Sequence, residues 1–213
     1  MEIVRAGRAD RARIDGAVEV HMRSFQGFFL TFLGRGFLRQ LYRGFAEHGG
    51  SGLLVAVDGP CTAGFLAYSA DMGGLYRHLL RRRLLPFAWY ALLGFLRRPG
   101  TFLRLVRALG RPGEARRGEP CVELSCIGVD PGRGGSGVGT MLVDELKGIA
   151  GGCPAAYIRL DTDAEHNEGA NAFYRKNGFV LHHAYETPEG RKMNEYRYCL
   201  GGCGQGRTGR AHT

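Results

Sequence analysis

Strands alternating with helices, in the α/β manner, are the fold that this chain of 213 residues predicts. Three observations carry the prediction. Apolar runs of strand length alternate with runs whose apolar residues recur at helical spacing. Two pairs of strand-like runs are joined by short turn-rich segments, as in antiparallel hairpins. The stretch VDPGRGGSGVGTMLV (129–143) sets five glycines between Gly132 and Gly139, directly between a strand-like run and an amphipathic one.

The elements follow in order. Glu2 to Arg5 reads as a short strand, and Asp10 is placed to cap a helix carrying Ile14, Val18, Met22 and Phe25 on one face. A second helix is predicted around Phe37, Leu38, Leu41, Tyr42 and Phe45, ending at Gly49 and Gly50. Between them SFQGFFLTFL crowds Phe25, Phe28, Phe29 and Phe32, for which core packing is expected over an aromatic substrate wall. LLVAV (53–57), the turn at Asp58, Gly59 and Pro60, and TAGFLAYSA (62–70) read as a hairpin.

From Leu75 to Arg117 the character changes, with eleven arginines against the single acid Glu114. Leu84 to Leu96 is apolar on every side, and its thirteen residues are too few to span a bilayer. Such an all-round apolar helix is expected to be buried against the domain or in a homodimer contact. Its flanking arginines, with Trp89 and Tyr90, leave open a peripheral contact with an anionic membrane through 75–117. Thr101 is placed to cap a further helix.

CVELSCIGV (121–129) is a strong strand, followed by the glycine loop and a helix with Val138, Leu142, Leu146 and Ile149 on one face. AYIRLDT (156–162) is another strand, Asn167 is placed to cap a helix through Lys176, and Gly178 is placed to end it in the left-handed region. FVLHHAYE and MNEYRYCL, separated by TPEGRK, close as a hairpin, and the tail 201–213 has too little apolar matter to pack, so disorder is expected. The organisation expected is one domain over 1–200 with a basic helical insertion at 71–119.

Composition narrows the classes. An apolar fraction of 44% with 10% aromatics is that of a globular protein. The N-terminal stretch MEIVRAGRADRARIDG has no apolar core of the signal-peptide kind, so a cytoplasmic location is expected, with peripheral attachment to the inner membrane face left open. Six scattered cysteines form no CxxC pair, which disfavours a zinc ribbon or a redox motif, and no metal is expected. Cys199 and Cys203 with His182 and His183 match no standard metal spacing. The net charge of +9 comes almost wholly from arginine and favours anionic partners.

Glycine inside an element costs about 0.5 to 1 kcal/mol relative to alanine, so the cluster at 132–139 implies backbone that bends sharply or approaches a ligand closely. A P-loop is excluded, because Gly139 is followed by Thr140 and Met141 rather than by lysine. A dinucleotide fingerprint is excluded as well, since the spacing is GxGxG at Gly135, Gly137 and Gly139. What remains is a strand, a tight loop and a helix N-terminus, whose amides from Gly134 to Thr140 can wrap a diphosphate without side-chain charge.

VDPGRGGSGVG resembles motif A of the GNAT N-acetyltransferases, and NEGANAFYRKNGF (167–179) is similar to that family's later segment, Asn, two residues, Ala, two residues, Phe-Tyr, then Gly-Phe. The resemblance covers 1–70 and 120–200 but not the basic insertion. It implies a mixed, mostly antiparallel sheet of about seven strands, splayed between the fourth and fifth, with helices on both faces. It also implies acetyl-CoA as co-substrate, its pantetheine arm pairing with strand backbone near Ile127, Gly128 and Val129. The loop residues Arg133, Gly134, Gly135, Ser136, Gly137, Val138, Gly139 and Thr140 would hold the diphosphate. In register the family's Arg or Gln falls at Gly134, and here arginine stands one place earlier, at Arg133.

The same resemblance assigns roles. Glu123, six residues before Val129 and expected on the same side by strand alternation, would be the general base. Tyr174 would lie near the CoA sulfur and protonate the departing thiolate, Asn167 would both cap its helix and contact CoA, and an N–H near Ile127 would stabilise the oxyanion. The expected reaction is acetyl transfer to a primary amine of a small molecule or sugar, including a nucleotide- or lipid-linked amino sugar, or to a protein N-terminus. No nucleic-acid partner is expected. A non-catalytic acyl-CoA-binding or membrane-surface module on the same scaffold is the alternative.

Overall fold

The computed structural model describes residues 1–97, 119–188 and 190–201. Its strands are β1 (Glu2–Arg5), β2 (Ser51–Asp58), β3 (Cys61–Ser69), β4 (Cys121–Val129), β5 (Tyr157–Asp163), β6 (Val180–Glu186) and β7 (Lys192–Cys199). They form one sheet in the order β1-β2-β3-β4-β5-β7-β6. Every neighbouring pair is antiparallel except β4 and β5. That parallel pairing is short, joining only Cys121, Val122 and Glu123 to Tyr157, Ile158 and Arg159. Beyond it β4 runs on beside β3 to Val129 and β5 beside β7 to Asp163, so the two strands part toward their C-terminal ends. This is the expected splay.

The helices are α1 (Arg11–Ser24), α2 (Phe29–Phe32), α3 (Gly34–Glu47), α4 (Met72–Arg97), α5 (Val138–Gly151) and α6 (Glu168–Lys176). Asp10 caps α1 as expected, its carboxylate accepting from the Arg13 amide at 3.2 Å. Gly178 follows α6 at φ +82°, the left-handed conformation predicted for it.

Two apolar clusters lie on opposite faces of the sheet. On one, Val138, Leu142 and Leu146 of α5 and Tyr174 of α6 pack with Leu66, Val122, Leu124, Ile158 and Leu160. On the other, Ile14 and Val18 of α1 and Leu38, Tyr42 and Phe45 of α3 pack with Leu53, Val55, Phe65 and Ala67, joined by Leu75 and Leu79 of α4. Alternate strand residues serve alternate faces, as the pleat requires.

β4 breaks that alternation. Its register with β3 shifts where Ala67 pairs with Cys126 and Tyr68 with Leu124, leaving Ser125 as an extra, bulged residue. Val122 and Leu124 before the bulge therefore share the α5/α6 face with Ile127 and Val129 after it, and Cys126 packs on the other side. Glu123 is thus on the α1/α3 face, opposite Val129, and the alternation argument for a shared side fails. An inserted residue shifts the parity of a strand by one.

The basic insertion begins as α4, which is kinked at Arg83 (φ −134°, ψ 15°). Pro86, three residues on, lacks the N–H that would bond back to Arg82, which explains a break at this point. The kink turns the Arg83 side chain inward, where it donates to Glu47 at 2.7 Å and to Gln40. Full burial of the apolar run is not observed: Leu84, Leu85, Trp89 and Leu92 are exposed. The helix expected after Thr101 lies outside the described residues, as do Cys203 and all of the tail but Gly201.

Candidate active site

The parting of β4 and β5 opens a cleft of about 430 Å³ that passes through the sheet. His21, Phe25, Phe28 and Leu30 line it from the α1–α2 side, and Gly139, Asn167, Ala170, Phe173 and Tyr174 from the α5/α6 side. Ser125, Cys126, Ile127 and Val129 of β4 face Asp161, Thr162 and Asp163 of β5 across it. Past Glu123 no strand pairs with the β5 side of β4 among the described residues. That leaves strand backbone available to an extended ligand.

At one end stands the glycine loop. Asp130 opens a short 3₁₀ turn, Pro131–Arg133, its carboxylate accepting from the Gly132 amide at 2.9 Å and from Arg23 at 2.8 Å. Together these hold the Asp130 carboxyl below its usual range. Gly135 (φ +76°) and Gly137 (φ +81°) are left-handed, and a Cβ at either would meet only open space. These two glycines are required by backbone conformation and not by crowding. Ser136 stands between them, and Val138, Gly139 and Thr140 form the first turn of α5. Among the described residues no backbone carbonyl accepts from the amides of Gly135, Gly137, Val138, Gly139 or Thr140. Unpaired amides at a positive helix end suit a diphosphate.

Arg133 does not join them. Its guanidinium pairs with Asp58 in the β2–β3 turn, which raises the arginine and lowers the carboxyl through the same hydrogen bond. The arginine out of register with the motif pins the loop to a neighbouring hairpin.

Of the strand residues, Ile127 and Val129 line the cleft, and Gly128 is turned away, its Cα facing the Phe65 and Phe25 rings so closely that a Cβ would meet them at 2.7 and 3.0 Å. The Val129 carbonyl accepts from the Ser24 hydroxyl at 2.7 Å, leaving one lone pair free. The bulge at Ser125 is two residues before Ile127.

Tyr174 lines the cleft yet is 92% buried among Phe173, Phe179 and Tyr196 (relative exposure 8%). Burial pushes its phenol well above the usual range, so it is protonated at neutral pH. Asn167 occupies the N-cap position of α6 without capping it: its side-chain amide donates to the Thr162 hydroxyl at 2.8 Å. Asn171, singled out by no motif, holds this corner together. Its amide donates to the carbonyls of Asp163 and Asn167, and its oxygen accepts from Asn194 and from the Tyr196 hydroxyl at 3.0 Å. A buried amide with all these bonds made orients β5, α6 and β7 together.

Glu123 is two residues before the cleft-lining Ser125, half-buried, and beside Arg159 at 3.4 Å. Burial raises its carboxyl, opposed by Arg159 and reinforced by Asp161. A carboxyl raised in this way is nearer to the range of a base working around neutral pH.

Sequence reasoning missed His21. It is 2% exposed, with Nδ1 2.6 Å from the Tyr42 hydroxyl and its ring 4.7 Å from Phe25. Burial lowers it to about 4, so a neutral imidazole borders the cleft. The signal was its place on the cleft-facing side of α1 between Val18 and Phe25. The aromatic cluster is also corrected: Phe25 and Phe28, edge to face at 5.5 Å, wall the cleft, and Phe28 is half exposed.

A model of the acetyltransferase (GNAT) family matches residues 21–179, from the cleft-facing histidine of α1 to the end of the α6 turn. No curated protein sequence matches the chain. Solved structures resemble it in fold at low identity. The ribosomal-protein-alanine N-acetyltransferase of Brucella melitensis has a TM-score of 0.59 at 15% identity, covering 93% of this chain and 99% of that one. The ribosomal-protein-S18-alanine N-acetyltransferase of Escherichia coli has 0.57 at 13%, covering 97% and 98%. Naa20 of Chaetomium thermophilum, in complex with a bisubstrate analogue, has 0.53 at 14%, covering 93% and 86%. Family match, splayed β4–β5 pair and glycine loop agree, and the chain belongs to the GNAT family of acetyltransferases.

Proposed function

We propose that this acetyltransferase acetylates a primary amine with acetyl-CoA, the diphosphate held by the loop amides from Gly134 to Thr140 and the pantetheine arm lying between β4 and β5. The observation that carries the reading is the continuity of the cleft. It runs from Gly139 at the loop, past Tyr174 and Asn167, to His21, Phe25 and Phe28 on the opposite face of the sheet. A donor entering from one face and an acceptor from the other therefore meet in the gap.

Acetyl-CoA supplies an activated acyl group on a thiol leaving group. The protein supplies the rest. Asp161 and Asp163 are the carboxylates at the cleft that an ammonium group would meet, and each already faces an arginine, Arg159 at 3.2 Å and Arg191 at 2.7 Å. Glu123 accepts the proton that the amine must lose, and does so through water, because its carboxylate stands beside the cleft and not in it. As the new C–N bond forms and the C–S bond breaks, the Tyr174 hydroxyl gives its proton to the sulfur. Amides of β4 near Ile127 face the acyl oxygen.

The acceptor is a small-molecule amine, including amino sugars on nucleotide or lipid carriers. Peptide amino termini stay in the panel because two of the similar structures are ribosomal-protein-alanine N-acetyltransferases. The test is to incubate the chain with acetyl-CoA and a panel of amino sugars, diamines and peptides, reading free thiol and the mass of one added acetyl group. CoA binding without turnover of any amine would instead favour the non-catalytic acyl-CoA-binding alternative.

A further inference from the structure

The apolar residues of α4 surround the helix, and the fold accounts for only one side of it. Phe87 packs on Phe37 of α3 with ring centroids 4.8 Å apart. The Tyr90 ring covers Gly36 of α3 so closely that a Cβ there would meet it at 2.2 Å. Among the described residues nothing packs on the other side. Leu85, Trp89 and Leu92 are 81%, 59% and 48% exposed, and their spacing of four and three residues puts them in one stripe. Leu80 and Leu84, flanking the kink, are exposed as well. On the part of α4 before the kink, next in sequence to the exposed Leu80, Arg77, Arg81 and Arg82 are exposed, and none of the three makes an ion pair among the described residues.

We propose that this face of α4 docks on an anionic lipid surface. An apolar stripe preceded along the helix by exposed arginines, with a tryptophan in it, matches the boundary between acyl chains and negatively charged headgroups. Charge decides against a second copy as the occupant: residues 75–117 carry eleven arginines and one acid, so a symmetric pair would bring like charges together. The attachment is peripheral, since no helix among the described residues is long and apolar enough to cross a membrane. The proposal does not rest on the acetyl-transfer reading.

Trp89 is the one tryptophan in the chain, so its fluorescence reports directly on this stripe. Vesicles of phosphatidylcholine with phosphatidylglycerol should shift its emission to the blue and carry the full chain in flotation. Pure phosphatidylcholine should do neither, and added salt should reverse the binding. Leu85→Glu should lower partitioning by about tenfold or more. Arg81→Gln and Arg82→Gln should each lower it about fivefold. All three positions are exposed, so melting curves and acetyl transfer in lipid-free solution should be unchanged. Absence of binding to anionic vesicles, or equal binding to both kinds, overturns the proposal. So does a lipid-free dimer, seen by sedimentation, that Leu85→Glu dissolves.

Discussion

The two faces of the sheet are built on different plans. On the α5/α6 face an apolar core lies under features of the backbone: amides unpaired among the described residues, two left-handed glycines and a strand edge. The α1/α3 face buries polar groups. Glu47 and Arg83 pair across α3 and α4 at 2.7 Å, His21 meets Tyr42, and Glu123 meets Arg159. A main-chain cradle serves any ligand carrying the same diphosphate, whereas side chains distinguish one acceptor from another. On the proposed function, donor recognition is conformational and acceptor recognition chemical.

That contrast can be broken most severely at its most buried ion pair. Glu47→Ala strands Arg83 in the interior, with Arg8, Arg43 and His78 also losing their shared partner. Urea unfolding should show a loss of about 3 to 5 kcal/mol. A loss under 1 kcal/mol would mean that the pair is solvated.

Next in size is the titration of His21. Its folded value of about 4 lies below the ordinary 6.5 because burial disfavours the cation. The unfolded chain therefore binds the proton first as pH falls. Stability is fully present above about 6.5 and is lost as pH drops toward 4, by roughly 3 kcal/mol if His21 acts alone. His21→Phe should flatten that part of the pH–stability curve, and an unchanged slope would place the titration elsewhere.

Glu123→Gln separates activity from stability. Turnover should fall about 100-fold and lose its acid limb. Because the folded carboxyl is raised, ionising it costs stability once pH passes from the unfolded value through the raised one. The amide should then be at least as stable as wild type at neutral pH, Arg159 keeping Asp161 at 3.2 Å. Equal rates for the two proteins would move the base to Asp161.

The smallest effect is expected at Arg133. Its pair with Asp58 is largely exposed, so Arg133→Gln should change CoA affinity by less than about twofold in calorimetry. A tenfold loss would return the side chain to the diphosphate.

Legibility in the sequence followed the same division. The α5/α6 face could be read because its devices leave residue types behind: glycine where φ is positive, as at Gly135, Gly137 and Gly178, and apolar residues at one helical face, as in α5. The side-chain face could not. Nothing local marks Ser125 as a bulge, since the extra residue exists only relative to β3, and the parity of Glu123 was misread for that reason. His21, Asn171 and the cleft-facing rings of Phe25 and Phe28 acquire meaning only from elements distant in the chain. For α4, an apolar pattern on all sides predicted burial, without saying that among the described residues α3 covers only one side.

The most direct measurement is a crystal structure with coenzyme A, paired with calorimetry on Gly137→Val. The account predicts the diphosphate within hydrogen-bond distance of the amides between Gly134 and Thr140, the pantetheine between β4 and β5, and affinity lowered at least about tenfold by a β-branched residue forced to φ +81°. A diphosphate bound elsewhere, or undiminished affinity in the valine variant, would contradict it.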